Sequence, residues 1–253
     1  MKLYRWLSAH GCGLSDLFPG VGFVGDSEFE LHAEKINKVK AKKDTCGGAA
    51  YKAAKSGAIG RKGLSETGGV FCTCRHGYLL RAVDMLKGET YRHVHYLHDF
   101  AYRSGCKFLC YDVVCQYWSF AADISEELEE FKCHTKNMQP FLCRWHGKTH
   151  AWYCQILFSG HWLKGACLTT GETTEQTNSK MARYSSITKH MGRSNRRDHL
   201  TLAMIYANIE KEEVKGEMLQ CLKQINEIVK SGSPTQESLA RSQKLKESYD
   251  MAN

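Results

Sequence analysis

Phe108-Leu109-Cys110-Tyr111-Asp112-Val113-Val114-Cys115 reads as an apolar strand that closes on an aspartate and passes at once into a helix. Residues 107–114 are mostly aliphatic and aromatic, the composition of a compact buried strand, and residues 115–122 begin a helical pattern. A carboxylate at the end of such a strand is costly to bury unless an ion or a hydrogen-bond network compensates it. Asp112 is therefore either a ligand for a divalent cation or an N-cap for the next helix. A second acidic station, Gly171-Glu172-Thr173-Thr174-Glu175-Gln176, opens another predicted helix that runs toward Lys189. Glu172 and Glu175 are three apart and point to one side of that helix. They are partners of Asp112 in a two-metal phosphoryl-transfer site, a general acid and base, or a first-turn acid pair favoured by the helix dipole.

Upstream of this strand, Val70-Phe71-Cys72-Thr73-Cys74 and residues 78–85 read as a hairpin turning at Gly77. Residues 91–103 carry Val94, Leu97, Phe100 and Ala101 at a helical period. Strand, strand, helix, strand is the order of the middle of a ribonuclease H-like α/β fold, whose first strand would precede Val70. The expected class is thus an α/β core of that kind, incomplete at its first strand, with a helical insertion and C-terminal helices. Residues 123–130 are acidic and helical, residues 140–145 form a short strand, and residues 202–229 are a charged helical pattern broken by Ser231-Gly232-Ser233-Pro234. Toward the N-terminus lie glycines 11 and 13, a turn at Pro19-Gly20, an acidic run over 26–34, a basic connector over 35–43, and more basic chain to Lys62. The chain divides into an N-terminal segment (1–69), the α/β region (70–200) and a charged helical tail (201–253), part of it disordered.

The chain of 253 residues, 42% of them hydrophobic, is long enough for one sizeable core. Lysine and arginine number 35 against 27 acidic residues, and the net charge of +8 suits a polyanionic partner such as DNA or RNA. No run of 18 apolar residues implies a membrane span. Met1-Lys2-Leu3-Tyr4-Arg5-Trp6 lacks the apolar core of a secretory signal, so the twelve cysteines read as reduced thiols, buried or metal-binding. The expected compartment is the nucleus or cytosol.

His146, His150 and Cys154 recur every four residues, one helical face if the helix is continuous, with Cys143 one turn earlier. Cys74 and His76, beside Cys72, offer the same donors in a strand-like setting. Zinc accepts these groups and takes four in a closed site, so each cluster is either a zinc site or a buried structural network. The basic stretch Lys189-His190-Met191-Gly192-Arg193-Ser194-Asn195-Arg196-Arg197 follows the glutamates. Lys189, Arg193, Arg196 and Arg197 are either phosphate contacts or a solvated helix end.

In combination these motifs resemble the Kyakuja-Dileera-Zisupton transposases, and within them the Zisupton-like members. The resemblance runs from about residue 1 to about 210 and rests on ordered motifs. They are Cys74-Arg75-His76-Gly77, Lys87-Gly88-Glu89, Tyr111-Asp112-Val113-Val114-Cys115, His146 to His150 with Cys154, Gly171-Glu172 with Glu175-Gln176, Thr188-Lys189-His190-Met191 and Arg197-Asp198-His199-Leu200. The family implies a ribonuclease H-like core, Mg²⁺ or Mn²⁺, DNA as partner (transposon ends and target), a homo-oligomer, and cut-and-paste strand transfer by three acids. Asp112 matches the second acid and Glu175, or else Glu172, the third. The family's first acid lies in a strand of the form Asp-x-Asn-(Phe or Met)-x-Leu. Asp26-Ser27-Glu28-Phe29-Glu30-Leu31 imitates that form, yet residues 1–6 match the part just after it, which places the first aspartate upstream of Met1. Ser65 stands where relatives often carry Asp, and Gln176 and Asn178 replace Arg and Trp of other branches. The expectation is a transposase-derived chain without strand transfer of its own. The alternatives are a non-catalytic DNA-binding protein of transposon origin, or a zinc-stabilised interaction module.

Overall fold

A computed structural model describes residues 17–18, 20–40, 66–86, 88–161, 163–166 and 171–231, with 240, 243 and 244. The expectations for residues 1–6, 11–13, 19, 41–65, 87 and 232–234 fall outside them. The chain separates into two compact units, Met1–Met204 and Ile205–Asn253. No helix among the described residues is long and apolar enough to cross a membrane.

The first described helix, α1 (Asp26–Asn37), covers the sequence that imitates the family's acidic strand. Its buried face is His32, Ala33 and Ile36, spaced three and four apart, so Asp26 sits in a first helical turn instead of a strand. The hairpin follows as read: β1 (Gly68–Thr73) pairs antiparallel with β2 (Leu79–Met85), Val70 opposite Val83. Gly77 adopts φ +78° in its turn, a conformation that costs glycine nothing. The chain just before α1 adds to this sheet through a parallel bridge of Phe23 with Ala82.

Helix α2 (Tyr91–Arg103) has the bounds that its periodicity gives. It starts in a capping box with a histidine in the usual glutamate place, the Thr90 amide donating to His93 Nδ1 at 3.1 Å. Strand β3 (Phe108–Cys110) is shorter than the 107–114 run, because Tyr111 and Asp112 turn and Val114 already belongs to α3 (Val114–Glu127). After α3, a single 3₁₀ turn (Glu129–Phe131) and α4 (His134–Asn137) return the chain to β4 (Gln139–Phe141), parallel to β3. A parallel pair needs such a crossover. The strand expected over 140–145 stops at Phe141, since Cys143 is an extended N-cap and the next residues coil into α5 (Arg144–Gly147). Then come α6 (Trp152–Leu157), α7 (Thr173–Ala182), α8 (Ser185–Thr188) and α9 (Arg193–Ser231). The helix read from Glu172 toward Lys189 is thus two helices with a break at Arg183 and Tyr184.

Among the described residues, three groups of side chains fill the core of the first unit. Val94, Val114, Tyr117, Ala121 and Leu142 join α2, α3 and β4; Val24, Val83, Tyr96 and Leu97 join β2 to α2; Ile36, Ile124 and Phe131 join α1 to α3. One buried charge group ties the start of α9 to the hairpin. Asp84 on β2 accepts from Arg196 and, at 2.6 Å, from Arg197, and both arginines are buried with it. Arg197 also reaches Asp26, as does Arg193 at 2.9 Å, while Arg193 holds Glu66 at 2.6 Å. Two guanidiniums left without Asp84 would be buried and only partly compensated, so Asp84→Ala is expected to cost about 3–5 kcal/mol in urea unfolding. A change below about 1 kcal/mol, the level of an exposed pair, would contradict this packing.

The second polar centre is a histidine cluster between α1, α2, α3 and α4. His32 Nε2 meets His95 Nδ1 at 3.0 Å, His98 Nδ1 meets the Tyr117 hydroxyl at 2.8 Å, and His134 Nε2 meets Asp99 at 2.8 Å. Burial holds His32 down to about 4 and His98 down to about 3, below the 6.5 of an exposed imidazole. Between those values and 6.5 the unfolded chain binds more protons than the folded one. Stability is therefore complete above about pH 6.5 and is lost as pH falls toward 4 and then 3, by about 1.4 kcal/mol per pH unit for each histidine. Urea midpoints should hold between pH 7.5 and about 6.5 and fall from there to pH 4.5; a flat or rising profile over the lower range would contradict it.

Candidate active-site cleft and two Cys/His clusters

The edges of β1 and β3 face a cleft of about 300 Å³ rather than each other. Val94, Leu97 and Ala101 of α2 line it, together with Thr73, Cys74 and Asp112. Helix α7 brings Thr174, Glu175 and Asn178 into the same cleft and is fastened to β1 by the Thr73 and Thr174 hydroxyls, 2.8 Å apart.

Gly171 sets where α7 begins. It has φ +77°, and a Cβ there would lie 2.5 Å from Cys110 Sγ and 2.9 Å from the Cys143 backbone. Only glycine tolerates both the dihedral and the approach. That contact seats the start of α7 on the ends of β3 and β4, which carries Glu175 into the cleft with Asp112.

Asp112 makes a hydrogen bond with its own neighbour, Oδ1 accepting from the Val113 amide at 3.0 Å, and it is not the side-chain cap of α3. Glu172, the N-cap residue of α7, turns away toward α5, where its Oε1 accepts from the Trp145 amide at 2.7 Å. The fields of these carboxylates meet at Cys143. Burial, with Glu172, Asp112 and Glu175 nearby, pushes that thiol up to about 11 although a hydrogen bond with His146 pulls the other way.

Glu89 is an acid whose role the sequence did not give. It lines the cleft and accepts from the Tyr111 hydroxyl at 2.7 Å. Its side chain still meets solvent, yet the surrounding walls raise its carboxyl above the usual range, Asp112 adds to the rise and the Tyr111 bond opposes it. The available signal was an acid immediately ahead of the capping residue Thr90.

The face expected to carry His146, His150 and Cys154 is divided. Ala151 is extended, so α5 and α6 are separate helices and His150 lies between them. His146 joins Cys143, its Nδ1 3.1 Å from Sγ, with Glu172 close by. His150 and Cys154 instead converge on Cys115, in the first turn of α3. Cys74 and His76 are 4.0 Å apart in the hairpin turn, and no third metal-binding side chain closes on them among the described residues.

Of the four basic residues expected on phosphate, Lys189 is exposed at the end of α8. Arg196 and Arg197 turn inward to Asp84, and Arg193 is held by Glu66 and Asp26. Asp26 is held in turn. Burial would raise its carboxyl, but the Arg197 and Arg193 hydrogen bonds outweigh burial and leave it below the ordinary carboxylate range.

A family model described as Kyakuja-Dileera-Zisupton transposase matches residues 16–208. The chain belongs to this transposase family. The match spans the cleft, both Cys/His clusters and the start of α9. No curated protein and no solved structure matches the chain. Family membership implies a divalent metal and DNA as partner. In this transposase-family chain, Gly171→Ala should lower stability by about 1–3 kcal/mol through strained dihedral and overpacking. Thermal unfolding of the variant is the check, and an unchanged midpoint would mean that α7 is seated by something else.

Proposed function

We propose that the cleft is the metal-dependent DNA-processing site of a ribonuclease H-like core, with Asp112 and Glu175 as its ion-holding acids. The observation that carries this is that one carboxylate just past the end of β3 and one in the first turn of α7 line the same cleft. The antiparallel pair β1–β2 and the parallel pair β3–β4 suit the two flanks of one such sheet. Oxygen donors of this kind fit Mg²⁺ or Mn²⁺. An ion held there polarises a phosphodiester and makes the attacking oxygen a better nucleophile. Glu175 approaches from a helix seated by Gly171, Asp112 from a strand end, and Glu89 with Tyr111 borders the wall beside Asp112. Glu172 serves the α5 turn through its bond to Trp145.

The family's reaction uses three acids, and the helical, doubly paired Asp26 is unsuited to be the first. Asp112 and Glu175 by themselves would hold the ions weakly and misplace the phosphate, so strand transfer is not expected from these two acids alone. DNA binding, driven by the net charge of +8, is expected to fall with salt and to survive Asp112→Asn. Incubation of supercoiled plasmid with the chain and Mn²⁺ tests the assignment. Salt-sensitive binding without nicking is the expected result, and nicking that disappears in Asp26→Ala would overturn it.

A further inference from the structure

We propose that Cys115, His150 and Cys154 form a zinc site that clamps the segment carrying Asp112 to the chain between α5 and α6. Two thiols and one imidazole place a ligand atom each within 4.8 Å of one another. Cys154 is fully buried, and His150 and Cys115 are 6% and 9% exposed. Cys115 Sγ and His150 Nδ1 are 3.3 Å apart. Two ligands of one tetrahedral zinc, at ordinary Zn–S and Zn–N lengths, stand about 3.6 Å apart. The imidazole also hydrogen-bonds the main chain at Asp112, the partner that ordinarily fixes the ring of a zinc-bound histidine. The fourth position falls to water or a small anion.

The second cluster, Cys143, His146 and Glu172, is the weaker claimant. It offers one thiol, and its carboxylate already accepts from the Trp145 amide. Zinc prefers the set with two soft sulfurs. The consequence for the cleft is mechanical. Asp112 lies three residues before Cys115, so a metal that joins Cys115 to His150 and Cys154 fixes the strand end from behind without touching substrate.

Metal analysis of the full chain, purified with reductant and without chelator, should give about one zinc per chain, as a structural site retains its metal through purification. Cys154→Ser and His150→Ala should lose it, whereas Cys143→Ala should keep it. Cobalt substitution provides a readout independent of folding yield: a thiolate-to-cobalt charge-transfer band that weakens in Cys115→Ser and persists in Cys143→Ala. In the wild-type chain, chelation should lower the unfolding midpoint and added zinc should restore it. Absence of zinc from the wild-type chain, or its loss in Cys143→Ala with retention in Cys154→Ser, would overturn the proposal.

Discussion

The approach of Gly171 to Cys110 and Cys143 is the constraint on which the cleft depends. Backbone there comes within a distance at which no side chain fits, and the positive φ at that residue turns the chain into α7. Strand β3 is only three residues long and β4 is no longer, so their ends have little stiffness of their own. Packing of the α7 start against Cys110 and Cys143, and the hydroxyl contact of Thr174 with Thr73, ties the two small sheets to the helix. Acids at the strand end and in the helix face the same space because of that frame.

Charge is managed differently inside and beside the cleft. Away from it, the buried Asp84 is matched by two arginines, and Asp26 by two that reach it from the start of α9. These pairs use up guanidiniums that would otherwise suit phosphate, whereas Lys189 and His190 are exposed. At the cleft, by contrast, three acids, Asp112, Glu175 and Glu89, share the lining with Arg75, an excess of negative charge that a divalent ion would relieve.

Much of this was legible because it is local. The hairpin around Gly77, the α2 helix over residues 91–103, and a strand just ahead of Asp112 all follow from periodicity, turn chemistry and side-chain type over a few residues. The Glu172 and Glu175 pair was legible as a helix start, but their division of labour was not, because it depends on Trp145 offering an amide to one of them. Four-residue spacing put His146, His150 and Cys154 on one helix, and the extended Ala151 breaks that helix. Cys115, far away in the chain, joins His150 and Cys154 only through the fold, and His146 goes to Cys143 instead. The inward turn of Arg196 and Arg197 likewise depends on Asp84, more than a hundred residues away in the chain.

Metal binding at the cleft is the central claim, and calorimetric titration of Mn²⁺ into the wild-type chain, Asp112→Asn, Glu175→Gln and Glu172→Gln tests it most directly. Saturable binding that is lost in Asp112→Asn and Glu175→Gln, and kept in Glu172→Gln, is the predicted result. Binding that is insensitive to Asp112 and Glu175, or that depends on Glu172 alone, would contradict the account.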